Sequence, residues 1–282
     1  MFITECPRDA IQGWGRLIPT DQKINYMNTL MEVGYDVLDC ASFVHPKLVP
    51  QMADSAQVVD AIDKSKSATK LSVIVANFRG AQKALEHEKV DFLGFPFSIS
   101  ETFQHRNTNK SREEAFVEID KIYDLTKQKN RELILYFSMA FGNPYGEIWK
   151  WEDVQEWAER FSAMGIQTIM LSDTTGVSDV ENIHLLFDKI PKMFPQIDFG
   201  AHFHNRYEDS YKKIKAAYDS GCRRFDTAIK GIGGCPMAKD ELVGNMPTEQ
   251  LINFLQKHKI ENNLNLTNFE SAWNEAKNVF QF

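Results

Sequence analysis

Short apolar, β-branched or aromatic runs recur along the 282-residue chain, each followed by a longer segment with helical spacing and a charged face. Their starting positions lie on average about 32 residues apart, which is the size of one βα unit. The eight runs are Phe2–Cys6, Val37–Ser42, Leu71–Ala76, Phe92–Phe97, Leu133–Met139, Thr168–Ser172, Phe199–His204 and Arg224–Ala228. Eight strands that alternate with helices predict an α/β fold, specifically a closed (β/α)8 barrel of the TIM type.

The length favours one domain, because a barrel of this type commonly needs roughly 250 residues. No long linker rich in Pro, Gly or Ser divides the chain. We predict a single catalytic domain over residues 1–282, with the barrel in about 1–245 and a C-terminal helical extension in about 246–282. Amphipathic stretches at Thr248–His258 and Asn268–Val279 predict the helices of this extension.

Capping residues mark several of the intervening helices. Thr20 is predicted as the N-cap of a helix over Asp21–Val33, and Ser111 as the N-cap of a helix that includes Ala115–Lys129. Gly165 follows another helical segment and is typical of a residue just beyond a helix C-terminus.

The charge balance excludes several classes of partner. The chain has 32 Lys and Arg residues against 39 Asp and Glu residues, a net charge of −7. It lacks the basic footprint of a nucleic-acid binder, and no apolar run approaches the roughly 20 residues that span a bilayer. The GxGxxG and GxxxxGK[ST] fingerprints are also missing. We therefore expect neither a nucleic-acid nor a membrane partner, and no Rossmann or P-loop enzyme.

The cysteine pattern points to a reducing compartment. Cys6, Cys40, Cys222 and Cys235 are scattered without a CxxC pair, and no apolar signal segment precedes the first strand-like run. A cytoplasmic location is the prediction.

The strongest local signal for chemistry is the pair His202 and His204 in the seventh run. Residues two apart on a strand point to the same face, so both imidazoles could bind one cation. Asp9 and Asn245 would complete a donor set that suits Mg²⁺ or Mn²⁺. The alternative is a pair of hydrogen-bonded core histidines.

Arg8 stands beside Asp9 where the first strand ends, at the face that carries the active site in this fold. A guanidinium fixed there could neutralise developing oxyanion charge. The alternative is a salt bridge to a carboxylate such as Asp39, and both interpretations can hold together.

Four further positions keep two interpretations each. Asp173 is either a general base or the N-cap of the next helix. Cys235, in the Gly-rich segment GIGGCP, is either an acid or base on a mobile loop or a small, partly buried apolar residue. Asn77 and the polar run 98–109, which includes Asn107, either contact substrate or belong to solvated loops.

These residues together resemble the 3-hydroxy-3-methylglutaryl-CoA lyases, members of a superfamily of metal-dependent (β/α)8 lyases and condensing enzymes. The resemblance covers nearly the whole chain. The matching stretches are CPRDAIQ at Cys6–Gln12, ASFVHPKLVPQMAD at Ala41–Asp54, VANFRG at Val75–Gly80, SETFQHRNTN at Ser100–Asn109, LSDTTGV at Leu171–Val177, AHFHN at Ala201–Asn205, GIGGCPMA at Gly231–Ala238 and GN at Gly244–Asn245.

The resemblance implies a divalent-cation site, filled by Mg²⁺ or Mn²⁺, whose ligands are Asp9, His202, His204 and Asn245. It implies that Arg8 stabilises the enolate of departing acetyl-CoA, with Asp39 in the place of a family glutamate. Cys235 would assist from its loop and Asp173 would be a candidate for proton removal. The residues assigned to substrate binding are Gln12, Asn77 and Asn107.

The implied reaction is a retro-Claisen cleavage of an acyl-CoA thioester to acetoacetate and acetyl-CoA, as in leucine degradation and ketone body metabolism. The resemblance also implies a homo-oligomer, a dimer. The chain departs from the family pattern at Thr4, Cys6, Ala10 and Asp39. Two alternatives therefore stay open: a condensing enzyme or aldolase that uses acetyl-CoA and a 2-keto acid, and an inactive metal-binding relative with a regulatory or scaffold role.

Overall fold

Eight parallel strands form a closed barrel in the computed structural model, which describes residues 1–234 and 243–282. Neighbouring strands pair in chain order, and β8 pairs with β1 to close the ring. A short ninth strand pairs antiparallel with the end of β7. The strands are β1 Phe2–Glu5, β2 Val37–Ser42, β3 Lys70–Ile74, β4 Val90–Ser98, β5 Glu132–Ser138, β6 Thr168–Asp173, β7 Asp198–Asn205, β8 Arg224–Thr227 and β9 Gly244–Asn245. The predicted (β/α)8 barrel is confirmed.

Helices surround the barrel and connect its strands. They are α1 Pro7–Gln12, α2 Thr20–Met31, α3 Ser55–Ala61, α4 Phe78–Ala84, α5 Glu101–Thr108, α6 Arg112–Gln128, α7 Trp151–Met164, α8 Val180–Met193, α9 Ser210–Asp219, α10 Thr248–Lys257 and α11 Leu266–Phe280. Among the described residues, none of these helices has both the length and the apolar composition needed to cross a bilayer.

The predicted strands coincide with observed ones to within two residues at each end. The capping predictions are confirmed at two positions: Ser111 forms a capping box with Glu114 at the start of α6, and Gly165 takes a left-handed conformation after α7, with φ of 102°. The prediction for Thr20 is wrong. Helix α2 already includes Thr20, and its hydroxyl instead donates to Asp54 across the fold at 2.8 Å.

The two C-terminal helices pack against the first and last parts of the helical ring. Helix α10 lies beside α9, and α11 lies beside α2. Phe280 at the end of α11 meets Trp14 and Tyr26 edge-on, with ring centroids 5.2 Å and 5.9 Å apart. This aromatic contact ties the C-terminal helix to the side of the barrel that carries the first βα unit.

Candidate active site

A cavity of about 570 Å³ opens at the carboxyl ends of the barrel strands. Its walls include residues from the ends of strands β3 to β7 and from the loops and helices that follow them, and Tyr136 of β5 lies among its lining residues. Seven of the predicted site residues line it: Arg8, Asp9, Gln12, Asn77, Asn107, His202 and His204. The sequence prediction that reactive side chains gather at this end of the barrel therefore agrees with the structure.

Two buried polar atoms in this cavity have no hydrogen-bond partner among the described residues: Oδ2 of Asp9 and Nε2 of His204. They lie 3.6 Å apart. Ligand atoms of Asp9, His202 and His204 all fall within 4.8 Å of one another. A buried carboxylate oxygen and imidazole nitrogen without partners are costly unless something binds them. The donor set fits a divalent cation, which would satisfy both atoms.

Each histidine uses its Nδ1 atom away from this point. Nδ1 of His204 lies 2.9 Å from the carbonyl oxygen of Thr174, and Nδ1 of His202 lies 3.0 Å from Oδ2 of Asp226. Both rings therefore leave Nε2 as the nitrogen available for a ligand, the arrangement expected of metal-binding histidines. Burial lowers the pKa of His202 and the hydrogen bond to Asp226 raises it, with a net upward shift.

Asn245 reaches the same region through the ninth strand, where it pairs in register with His204. Its Nδ2 donates to the carbonyl oxygen of Ile232 at 2.9 Å, which leaves Oδ1 as the atom that could face a cation. A Cβ atom at Gly233 would collide with Nδ2 of Asn245, so the close approach requires glycine there.

Arg8 is 6% exposed and bonds two carboxylates with different parts of its guanidinium group. Nη1 donates to Asp9 at 2.8 Å, while Nη2 and Nε donate to Asp39 at 2.5 Å and 3.0 Å. Burial opposes the charge of Arg8, but Asp39 and Asp9 raise its pKa overall. Burial likewise opposes ionisation of Asp9, yet Arg8 beside it holds the pKa of that carboxyl well below its usual range. Arg8 thus forms the expected salt bridge and also lines the cavity.

Asp173 does not reach the cavity. On β6, Ser172 lines the cavity and Asp173, one residue later, points to the opposite face, where it is 1% exposed. There it accepts from Nζ of Lys213 at 2.7 Å and from the backbone and hydroxyl of Ser178. The N-cap of α8 is Asp179. The N-cap prediction for Asp173 is therefore wrong. Its general-base role stays a prediction, since its Oδ2 bonds Lys213 and Ser178 while its Oδ1 is buried without a partner among the described residues.

The remaining predicted residues divide into three groups. Asn77 and Gln12 line the cavity but already bond the protein: Asn77 caps α4 and Gln12 donates to Asp9 at 2.9 Å. Asn107 lines the mouth on α5. Cys235 lies outside the described residues, so its predicted role stays a prediction.

Sequence reasoning missed Tyr136, Asp226 and Lys213. Tyr136 lines the cavity and its ring meets that of His202 edge-on at 5.4 Å. A sequence signal existed for the other two: Asp226 stands within a strand-like run, and Lys213 lies at helical spacing with Ile214 and Ala217 on the inner face of α9. The structure buries both charged side chains. Such residues are seldom buried without a partner or a function.

Comparisons with known proteins cover nearly the whole chain. The HMGL-like family profile matches residues 2–275. Hydroxymethylglutaryl-CoA lyase YngG of Bacillus subtilis is 31% identical over 276 residues, 96% of this chain and 90% of that protein. The cytoplasmic 3-hydroxy-3-methylglutaryl-CoA lyase of Rattus norvegicus is 33% identical over 249 residues, 88% of this chain and 72% of that protein.

One solved structure adds a ligand to this comparison. It is an HMG-CoA lyase from Acinetobacter baumannii in complex with coenzyme A and 3-methylmalate. It matches with a TM-score of 0.92 at 27% identity and covers 100% of this chain and 91% of that chain.

Proposed function

The chain belongs to the HMGL-like family, and on that premise we propose that it is a lyase that cleaves 3-hydroxy-3-methylglutaryl-CoA to acetoacetate and acetyl-CoA. The observation that carries the proposal is a pair of buried atoms, Asp9 Oδ2 and His204 Nε2, that have no hydrogen-bond partner within residues 1–234 and 243–282 and lie beside a buried arginine in one cavity. The solved relative that contains coenzyme A and 3-methylmalate supports an acyl-CoA substrate.

The residues that would hold the cation are Asp9, His202, His204 and Asn245. Their oxygen and imidazole donors favour Mg²⁺ or Mn²⁺ over an ion that prefers thiolates. When bound, the cation supplies Lewis-acid stabilisation to the oxygens at the hydroxy-acid end of the substrate.

Arg8 is placed to act on the fragment that leaves as acetyl-CoA. Three of its N–H groups bond Asp9 and Asp39. A guanidinium has five such donors, which leaves two for an oxygen in the cavity. In the reaction a base takes the proton of the 3-hydroxyl, and its oxygen becomes the ketone carbonyl of acetoacetate. The electron pair of the broken C–C bond passes to the acetyl-CoA fragment as an enolate. Arg8 would stabilise that enolate oxygen until the carbon takes up a proton.

The shorter carboxylate in the second strand still orients Arg8. Asp39 stands where the sequence resemblance implies a glutamate, yet both of its oxygens lie within 3.3 Å of Nε of Arg8. This geometry supports an active enzyme over an inactive relative, because the arginine is held by a two-point contact.

Three wider features of the protein complete the proposal. We propose that residues 1–282 act as one catalytic domain and that the working form is a homodimer. A cytoplasmic location agrees with the three described cysteines, Cys6, Cys40 and Cys222, which are unpaired and buried.

The direct test is an assay of purified protein, stripped with a chelator and then supplied with Mg²⁺ or Mn²⁺. We expect acetoacetate and acetyl-CoA in equal amounts from 3-hydroxy-3-methylglutaryl-CoA, and no product from the stripped protein. Folded protein that binds either ion but does not turn over this thioester would refute the substrate assignment.

A further inference from the structure

Asp226 lies directly across the sheet from His202 and has no assigned task in the reaction above. The two residues pair in register between β7 and β8. Oδ2 of Asp226 lies 3.0 Å from Nδ1 of His202. Asp226 is 3% exposed, so its carboxylate has little access to water.

The carboxylate of Asp226 is committed to this one imidazole. Its second oxygen, Oδ1, is buried with no hydrogen-bond partner among the described residues. Its one ion pair within those residues is with His202. Burial of a carboxylate with so few partners is costly, which calls for a reason at this position.

A second cation site is one conceivable reason, because Cys6, His202 and Asp226 present ligand atoms within 4.8 Å of one another. The chemistry opposes it. Nδ1 of His202 already lies 3.0 Å from Asp226, and Nε2 is the nitrogen left for the cation site with Asp9 and His204. A second cation would have to displace one of these two contacts.

We propose that Asp226 is a positioning residue: its carboxylate accepts the Nδ1 proton of His202 and thereby directs Nε2 of that ring to the cation site. Tyr136 supports the same orientation, since its ring meets the imidazole at 84°. The inference rests on the proposed cation site and is independent of which thioester is cleaved.

The two histidines are consequently held by different acceptors. His204 donates to a neutral backbone carbonyl, whereas His202 donates to a carboxylate. A carboxylate partner makes an imidazole a more basic ligand. His202 should therefore contribute more than His204 to cation affinity through its outer partner, and that contribution should disappear with Asp226.

The test measures Mn²⁺ binding to Asp226→Ala by the electron paramagnetic resonance signal of the free ion. We expect the dissociation constant for Mn²⁺ to be roughly 10- to 100-fold larger than in the unaltered protein, which is the usual effect of losing a residue that orients a metal ligand. Asp226→Asn fills the same space and serves if the alanine variant does not fold. We expect about 10-fold weaker binding from it, because the amide lacks the negative charge.

Asp219→Ala is the control, since Asp219 lies at the end of α9 with a side chain 45% exposed and an exposed ion-pair partner, Lys215. It should bind Mn²⁺ as the unaltered protein does. A ¹⁵N nuclear magnetic resonance spectrum of the Mg²⁺-loaded protein reports on the Nδ1 proton of His202 directly. A variant that is only less stable would not change this signal. We expect the Nδ1 proton of His202 to be protected in the unaltered protein and to exchange freely in Asp226→Ala.

Unchanged Mn²⁺ affinity in a folded Asp226 variant would overturn the inference. Failure of the proposed function looks different: Mn²⁺ binding that depends on Asp226, in a protein that does not cleave the thioester, would support the positioning role and reject the lyase assignment.

Discussion

Arg8 uses separate ends of one side chain to bond Asp9 and Asp39, and a point charge could not do this. At the scale of the residue, this arrangement gives the two carboxylates different functions. The oxygen of Asp9 that Arg8 leaves free faces His204, while Asp39 is occupied in holding the arginine. Cation binding and enolate stabilisation should therefore be separable by mutation.

Arg8→Lys should retain the cation and lose most of the activity. A lysine keeps the positive charge but cannot bond both carboxylates and also present donors to an oxygen in the cavity. We expect kcat to fall by roughly 10²- to 10³-fold, as for the loss of one oxyanion donor. Mn²⁺ affinity should fall by less than the roughly 10- to 100-fold expected when a cation ligand loses its outer partner, because a lysine amine can still donate a hydrogen bond to Asp9.

The control for Arg8→Lys is Arg223→Lys, at an exposed residue just before the amino end of β8, which should leave both quantities unchanged. If Arg8→Lys weakened Mn²⁺ binding as strongly as it lowered kcat, the division of roles would be incorrect.

Asp9→Ala and His204→Ala should instead weaken Mn²⁺ binding directly. Each removes one of the two buried atoms that face each other in the cavity without a hydrogen-bond partner in the described part of the chain. The loss should exceed the roughly 10- to 100-fold expected for a residue that only orients a ligand. Equilibrium dialysis against Mn²⁺ measures it, and affinity equal to that of Asp226→Ala would argue against direct ligation.

At the scale of the element, the end of β6 shows why part of the site could be read from the sequence and part could not. The runs themselves were predictable, because buried parallel strands are short and rich in β-branched and aromatic residues. The two histidines were predictable because their spacing places both on one face whatever the register. The position of Asp173 could not be predicted, because it depends on which face of β6 lines the cavity. Ile169 and Leu171 share its face and belong to the large apolar core, whereas Met170 on the other face packs in the cluster that contains the cavity residue Tyr136.

The partner of Asp173 was beyond sequence reasoning, since Lys213 lies 40 residues away on α9. Lys213 also donates to the carbonyl oxygens of Gly176 and His204, at 3.2 Å and 3.4 Å. This buried amine therefore joins the loop after β6 to the end of the strand that carries both histidines. Spacing alone does not reveal a contact that requires two elements to pack.

Lys213→Met should destabilise the protein strongly, because it leaves Asp173 buried without its cationic partner. We expect a loss of about 3 to 5 kcal/mol in the free energy of unfolding, measured by urea titration. Asp173→Asn combined with Lys213→Met should recover part of that loss. Lys212→Met is the matched control: its own side chain is exposed and its partner Asp209 is only half-buried, so the free energy of unfolding should change by no more than about 1 kcal/mol. A small effect of Lys213→Met would mean that the pair does not support this region.

At the scale of the whole molecule, Glu5 joins the first strand, the last barrel strand and the C-terminal segment. Its carboxyl accepts from the backbone of Ile229 at 2.7 Å, from Thr248 at 2.6 Å and from Thr227 at 3.3 Å. It is fully buried, and burial raises its pKa to about 8 despite these three donors. The closure of the barrel thus contains a carboxyl group that prefers to keep its proton.

This residue makes stability depend on pH in a definite direction. Between the ordinary glutamate pKa of 4.5 and about 8, the unfolded chain releases a proton that the folded chain retains. The stability contributed by Glu5 is therefore complete below pH 4.5 and falls as pH rises to about 8. Glu5→Gln mimics the protonated form, so its melting temperature relative to the unaltered protein should be higher at pH 9 than at pH 6.

Thermal unfolding of both proteins at the two pH values measures this difference. Glu261→Gln, at an exposed glutamate, should show no such change with pH. A constant difference in melting temperature between Glu5→Gln and the unaltered protein would show that Glu5 does not titrate differently on folding.

The close approach of Gly231 and Gly244 beside Asn245 has a consequence for how the sequences of related enzymes can diverge. Gly231 and Gly244 approach so closely that a Cβ atom on Gly244 would collide with the Gly231 carbonyl. Backbone hydrogen bonds from Ala228 N–H to the Met246 carbonyl and from Thr248 N–H to the Ala228 carbonyl hold the chain before Gly231 against the chain after Gly244. Gly231 and Gly244 are therefore fixed beside each other at the barrel. We expect that the chain between Cys235 and Val243 can be exchanged or lengthened as relatives diverge, because Asn245 is held by contacts that lie outside it.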